Sequence, residues 1–447
     1  MRLRKLLVFG AVFGVGLSTL LFIVEPREEQ GLERGSQARR VEPSSVSPQG
    51  GTEEQVTATA EFRGRLEYTQ FSATEVAGRR PKLFHFLAGH VEHIGEEEYL
   101  VENLFVELFE PLSQRVRGTV RSPEAQMPIR FQAGRREFGS EDQIQLSSVD
   151  AEIFEGVPLA PARFEAINLK VFLAEGLFTT PEPVVFSAQG ARASGVEFSL
   201  NQEDGRLRFG RNGEITFAGD GQTGTTLTST GEGALLLERS ETGTLRVLVE
   251  GGARLETAAG DGVSITAERI EFLGEESELG EFKPSVALAS GGATFDGWGG
   301  RFEGEAARFE FGEGGRLKEA LLEGEPRARI PITTEEGQLV QVELRATESV
   351  RLLPDAGFFV KGPCVVEVKE EGLRLECDGH LLGTGRPSAG SGWLSASGGV
   401  RATIGSIEYL GEDLELRGVT ASTGEVEWMA QTRNEATLSG ELASGEG

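Results

Sequence analysis

Gly195 to Phe217, GVEFSLNQEDGRLRFGRNGEITF, leaves very few folds open to the chain that carries it. Val196, Phe198 and Leu200 share one strand face with Glu197 and Ser199 opposite; Leu207 and Phe209 alternate with Arg206 and Arg208, and Ile215 and Phe217 with Glu214 and Thr216. Successive side chains of an extended backbone point to opposite faces, so this alternation marks half-buried strands, apolar on one side and wet on the other. The intervening NQEDG (Asn201 to Gly205) and GRNG (Gly210 to Gly213) are rich in residues that accept turn conformations. The segment therefore reads as three short strands in an antiparallel meander.

Relaxed copies follow. AERIEFLG at Ala267 to Gly274, GEAARFEFGEGGRLKEALLEGEPRARI at Gly304 to Ile330 and SIEYLGEDLELRG at Ser406 to Gly418 each contain an alternating strand with a Gly- or acid-rich turn. From Thr59 onward almost no helical stripe is present, and the alternating runs recur at intervals of roughly 35 to 45 residues, the scale of a strand pair with its connections. The fold class is all-β. Stacked units of this kind give an elongated sheet sandwich whose inner faces supply one long apolar surface.

The N-terminus has a different character. Leu6 to Val24 carries no charge, and at about 1.5 Å rise per residue it matches a hydrocarbon core of roughly 30 Å. Arg2, Arg4 and Lys5 precede it and Glu25 follows, which places residues 1–5 in the cytoplasm and everything after Glu25 on the far side. A cleavable signal peptide is the alternative. The run exceeds a usual h-region, however, and Leu21-Phe22-Ile23-Val24-Glu25-Pro26 offers no small-x-small cleavage site. Gly10, Gly14 and Gly16 either give this transmembrane helix a face for close packing or are the glycines common in such helices. Residues 25–57, with Pro26, Pro43 and Pro48 among serines and mixed charges, read as a flexible linker.

The formal charge of −27 leaves no basic stripe to displace the counterions of a phosphate backbone, so a nucleic-acid partner is excluded. The acidity is uneven: residues 60–218 carry 17 basic and 24 acidic side chains, whereas 219–447 carry 20 and 40. This shift suggests two β-domains, 58–218 and 219–447. With 27 phenylalanines against 3 tyrosines and 3 tryptophans, phenylalanine supplies the aromatic core.

Cys364, Val366 and Val368 alternate on one strand and Leu373, Leu375 and Cys377 on the next, joined by Lys369-Glu370-Glu371-Gly372. A four-residue loop sets Val368 opposite Leu373, Val366 opposite Leu375 and Cys364 opposite Cys377. In an exported, oxidising location these cysteines form a cross-strand disulfide, contributing about 3 kcal/mol on the chain-entropy estimate. The alternative is a pair of buried free thiols.

Catalytic patterns are missing. Gly219, Gly221 and Gly224 spell GxGxxG, but TTLTSTGEG after them reads as strand and turn, with no helix to receive a pyrophosphate. His85, His90 and His93 with Glu92 and Glu96 fall across a strand and a turn with no fixed fourth donor, and read as a solvated edge. The only other histidine is His380, and no GxSxG is present. No enzyme, metal or cofactor is expected.

Several segments in order carry a family resemblance: Tyr99 to Phe109 (YLVENLFVELF), Ile144 to Ile153 (IQLSSVDAEI), Phe164 to Phe172 (FEAINLKVF), the Thr-x-x-Pro-Val-like stretch Phe178 to Val184, and Gly195 to Phe217. From Ala60 to Phe217 the chain resembles the periplasmic domain of the LptC family, and more broadly the OstA-like β-jellyroll superfamily. The resemblance implies a slightly open jellyroll that accepts the acyl chains of lipopolysaccharide, or a similar amphiphilic glycolipid, from an inner-membrane ABC transporter and passes them to a soluble LptA-like periplasmic protein. It also implies a Gram-negative-type inner-membrane location with the bulk in the periplasm. The chain departs from the family in its long tether and in some 230 further residues, which read as a second stacked roll or as a divergent domain.

Each acyl methylene exposed to water costs about 0.8 kcal/mol, so a glycolipid crossing an aqueous space needs an apolar track. The groove-lining candidates are Ile167, Leu169, Val171, Val196, Phe198, Leu200, Leu207, Phe209, Ile215 and Phe217, each of which could equally be plain core. The alternative from another class is a structural or interaction β-repeat protein of the cell envelope without lipid transfer.

Overall fold

The computed structural model describes residues 66–71 and 80–439, apart from short stretches within the latter, the longest being 385–392. The membrane segment 6–24 with Gly10, Gly14 and Gly16, and the linker 25–57, lie outside the described residues. Among those described, every regular element is a strand, and no helix is long and apolar enough to cross a membrane. Thr59–Gly447 forms one compact unit.

Its architecture is a ladder of bent layers, each antiparallel to the one before. Glu98–Phe109, Val116–Pro128, Gln143–Ile153 and Ala162–Phe172 pair in succession. Ala191–Asn201, Arg206–Phe217, Thr244–Thr257, Val263–Glu276, Phe282–Gly297 and Gly300–Phe311 repeat the arrangement higher up. Among the long strands from Ala191 to Phe311 the register slips near the middle, as between Glu250 and Ala253 or Ser290 and Ala293, whereas the lower pairings bend with their register kept. At such a bulge an unpaired residue turns the strand, so each layer crosses from one sheet into a second. The result is two arms joined along a line of bends.

Other layers make the same crossing by breaking. Leu177–Thr180 pairs with the second-arm ends of its neighbours and Val184–Ala188 with their first-arm ends. Between them lies Pro181-Glu182-Pro183, where proline has no N–H to give a ladder. Thus the Thr-x-x-Pro-Val-like stretch sits on the bend. Four successive layers are broken in this way between Gly300–Phe311 and Trp393–Ile404. Leu317–Glu323, Ser349–Leu353, Gly357–Lys361 and His380–Thr384 continue the second arm. Arg327–Thr333, Leu339–Ala346, Cys364–Val368 and Leu373–Cys377 continue the first. With the unbroken strands at either end, they close a 10-strand barrel.

The all-β expectation holds, and NQEDG is a hairpin turn, with Asn201 opposite Arg206. GRNG is not a turn. Arg206–Phe217 is one strand, and Asn212, at φ +51, marks its bulge. Turns and bulges both call for left-handed residues, and only the course of the chain afterwards distinguishes them. The ladder also continues across 218/219, since Arg206–Phe217 pairs directly with Thr225–Ser229 and Ala234–Arg239.

The bends have their own repeat. Glu197, Glu232, Glu268 and Glu305 occupy alternate bends, 35 to 37 residues apart, and the bends between them hold Asn212, Gly251-Gly252 and Gly291-Gly292, all at positive φ. Two layers make one unit, which is the interval expected from the alternating runs. Gly291 shows why glycine is needed: besides its φ of +79, a Cβ there would lie 2.6 Å from the Cβ of Glu268.

Candidate functional site

Between the arms runs a single apolar cluster, from Phe84 to Leu416. It follows from strand parity: on each arm alternate residues point inward, so Phe164, Phe186, Phe209, Phe272, Phe295 and Phe309 are fully buried. Ring contacts link the layers, with Phe164 5.4 Å from Phe198 and Phe198 5.6 Å from Phe209. The Phe164–Phe198 contact also crosses between the arms, and it is not alone. Phe217 at the outer end of the first arm meets Phe282 at the outer end of the second, their centroids 4.2 Å apart.

Eight of the ten groove candidates lie in this interior: Leu169, Val171, Phe198, Leu200, Leu207, Phe209, Ile215 and Phe217 are all buried. Ile167 and Val196 do not share their face. Asn168, at φ +52, bends the strand without shifting its register, since Leu146 stays opposite Leu169 and Ser148 opposite Ile167, and at this bend Ile167 turns outward to 48% exposure. Val196 is half-buried beside Glu197, φ +56, in the next bulge. At both bends the strand changes face, which a plain alternation does not anticipate.

Ile167 instead helps to line an open groove of about 1010 Å³ on the outer surface of the bend, with Phe105, Pro123, Pro183 and Val185. Its charged groups are engaged. Arg121 lies over the Phe105 ring at 5.5 Å, and Asp150 receives both Nε and Nη2 of Arg163 at 2.8 Å. Hydroxyls satisfy carbonyls at the bends: Thr180 Oγ1 donates to the Ile167 carbonyl at 2.8 Å, and Ser122 Oγ to that of Glu124 at 2.6 Å.

The cysteine register is as expected, with Cys364 opposite Cys377, Val366 opposite Leu375 and Val368 opposite Leu373. Both cysteines are buried free thiols with Sγ atoms 3.1 Å apart. Bonding to Cys377 and burial push the Cys364 thiol up, while the Cys364 S–H holds Cys377 down. Cys377 is therefore the sulfur poised to ionise first.

The histidines disperse. His85 bonds Thr69 Oγ1 at 2.8 Å, His93 packs on Tyr99 at 4.9 Å and His380 Nδ1 lies 3.0 Å from Ser397 Oγ. Among the described residues no group of three or more His, Cys, Asp or Glu could hold a metal ion. The outer faces carry ion pairs; Arg246 bridges Glu271 at 2.8 Å and Glu238 at 3.1 Å, both of which raise its pKa, Glu271 the more. Glycine pairs at the bends were a signal the alternation did not use: EGGA at 250–253, SGGA at 290–293 and SGGV at 397–400 mark three of them.

Compared with known proteins, the chain matches no family model and no curated protein.

Proposed function

We propose that this unit carries acyl chains between its two arms, as a membrane-anchored periplasmic component that receives lipopolysaccharide or a similar glycolipid from an ABC transporter and passes it to a soluble OstA-like jellyroll partner. One observation carries the reading. The apolar faces of the arms form a continuous interior, and among the described residues every strand pairing joins successive layers, so along the side away from the bend side-chain contacts hold the described parts of the arms together. Apolar packing is non-directional, and an acyl chain can replace it without breaking a sheet. Uptake on this reading proceeds by parting the arms, since the interior side chains are buried in one another. The acidic exterior leaves a phosphorylated headgroup in water.

The same filled interior favours a second reading, a structural β-repeat protein of the envelope. A photo-crosslinking residue decides between them. At Phe198, inside, it captures lipopolysaccharide in cells under the first reading, well above capture at Glu197, outside; equal yields at the two positions support the second.

A further inference from the structure

Away from the bend, Arg117 bridges the arms. Arg117 stands at the outer end of the first arm and Gln202 at the outer end of the second, and Arg117 Nη2 donates to the Gln202 carbonyl at 3.1 Å. The Arg117 carbonyl in turn accepts from the N–H groups of Phe154 and Glu155 at 2.6 and 3.3 Å. The loop that begins there dips inward, so that Val157 and Leu159 are 1% and 0% exposed. Leu159 sits at φ +61, where a side chain is strained.

Gln202 is the anomaly. Its N–H donates to the Gly176 carbonyl at 3.0 Å and the residue is only 6% exposed, yet its Nε2 has no hydrogen-bond partner. A buried donor without an acceptor loses its hydration for no return, and native structures rarely leave one so. Beside it, the half-buried guanidinium of Arg117 has further N–H donors to give. Glu110, which feels the Arg117 charge, accepts instead from the Ser113 N–H at 2.9 Å. Two sets of donors thus converge above buried aliphatic side chains, with no carboxylate ion-paired to Arg117 among the described residues.

We propose that this is a lateral opening for the anionic end of an acyl chain. A carboxylate or phosphate oxygen accepts from Gln202 Nε2 and from Arg117, which releases the Gln202 carbonyl, and the hydrocarbon replaces Val157 and Leu159 between the arms. The inference rests on the acyl-carrying reading and assigns its point of access. Anionic and apolar parts are both required, which sets the ligand apart from free phosphate.

The test is photolabelling of the full chain, held in amphipol, with a diazirine palmitate, followed by mass-spectrometric mapping. The wild type should be labelled at residues 157–159, and Arg117→Ala and Gln202→Leu should each lower that yield at least tenfold while keeping the wild-type thermal melt. The uncharged diazirine hexadecanol should label all three proteins equally weakly. Displacement of the palmitate probe by inorganic phosphate alone would overturn the acyl part of the site. Interior labelling, for example at Phe198, that ignores both substitutions would overturn the opening and leave the acyl-carrying reading standing. No labelling anywhere would overturn both.

Discussion

The layers between Ala191 and Phe311 and those between Leu317 and Thr384 make the same bend by different means. In the first region most strands run through it, on positive-φ bulges at Asn212, Gly251-Gly252 and Gly291-Gly292. In the second the strands stop, and Gly324-Glu325-Pro326 or Gly362-Pro363 carries the chain across. The core changes with the bend. Phenylalanine contacts link the first region layer to layer, whereas the second is filled by residues such as Leu322, Val350, Val360, Leu381 and the two cysteines. Where strands are continuous, the hydrogen-bond ladder couples the arms; where they break, the arms depend on packing and on the covalent chain. The lesson is that one outline can hold two degrees of coupling.

The largest expected effect falls in the continuous region. Phe198→Ala removes a ring 1% exposed that touches Phe164 and Phe209, and should cost about 3–5 kcal/mol in urea unfolding. A loss under about 1 kcal/mol would mean that the aromatic chain does not couple the layers. Next come the cysteines. Oxidation of Cys364 and Cys377 to a disulfide should stabilise the broken-strand region by about 3 kcal/mol, with intact mass falling by about 2 Da relative to the reduced form; two alkylatable thiols in the native protein isolated from cells would rule the bond out.

The bends themselves separate geometry from space. Gly291 and Gly292 both have positive φ, at +79 and +83, but only Gly291 would bring a Cβ against Glu268. Gly291→Ala should therefore destabilise by about 1–3 kcal/mol and Gly292→Ala by about 1 kcal/mol; equal losses would show that φ alone matters. The smallest effect concerns Asp413, whose pKa is lowered first by the backbone N–H of Arg433, and then by Asn434 and Thr432. A carboxylate held below its unfolded value stabilises above that value, about 3.9. Its contribution is lost as pH falls through the folded pKa. Hydrogen exchange near residues 432–434 should rise over that window, and Asp413→Asn should flatten the pH dependence.

Much of the fold was legible in the chain because burial alternates along strands: Leu207 and Phe209 point inward, and the loop at 369–372 set the register of Cys364 and Cys377. The bends were not legible by that route. Gly210 to Gly213 has turn composition whether the chain reverses or merely bulges, and the bend at Asn168 sends Ile167 outward against its alternation. The orphaned Gln202 amide lies beside a carbonyl that Arg117 reaches from 85 positions away, so no local pattern could have marked the pair.

The central claim is that the interior opens along the side away from the bend to admit acyl chains. Spin labels on encoded non-cysteine handles at Arg192, exposed on the first arm, and Arg206, exposed on the second, report the separation of the arms by pulsed electron resonance. The account predicts that lipopolysaccharide lengthens and broadens this distance, whereas the lipid-free protein holds one narrow distance. A distribution unchanged by saturating lipopolysaccharide would contradict it.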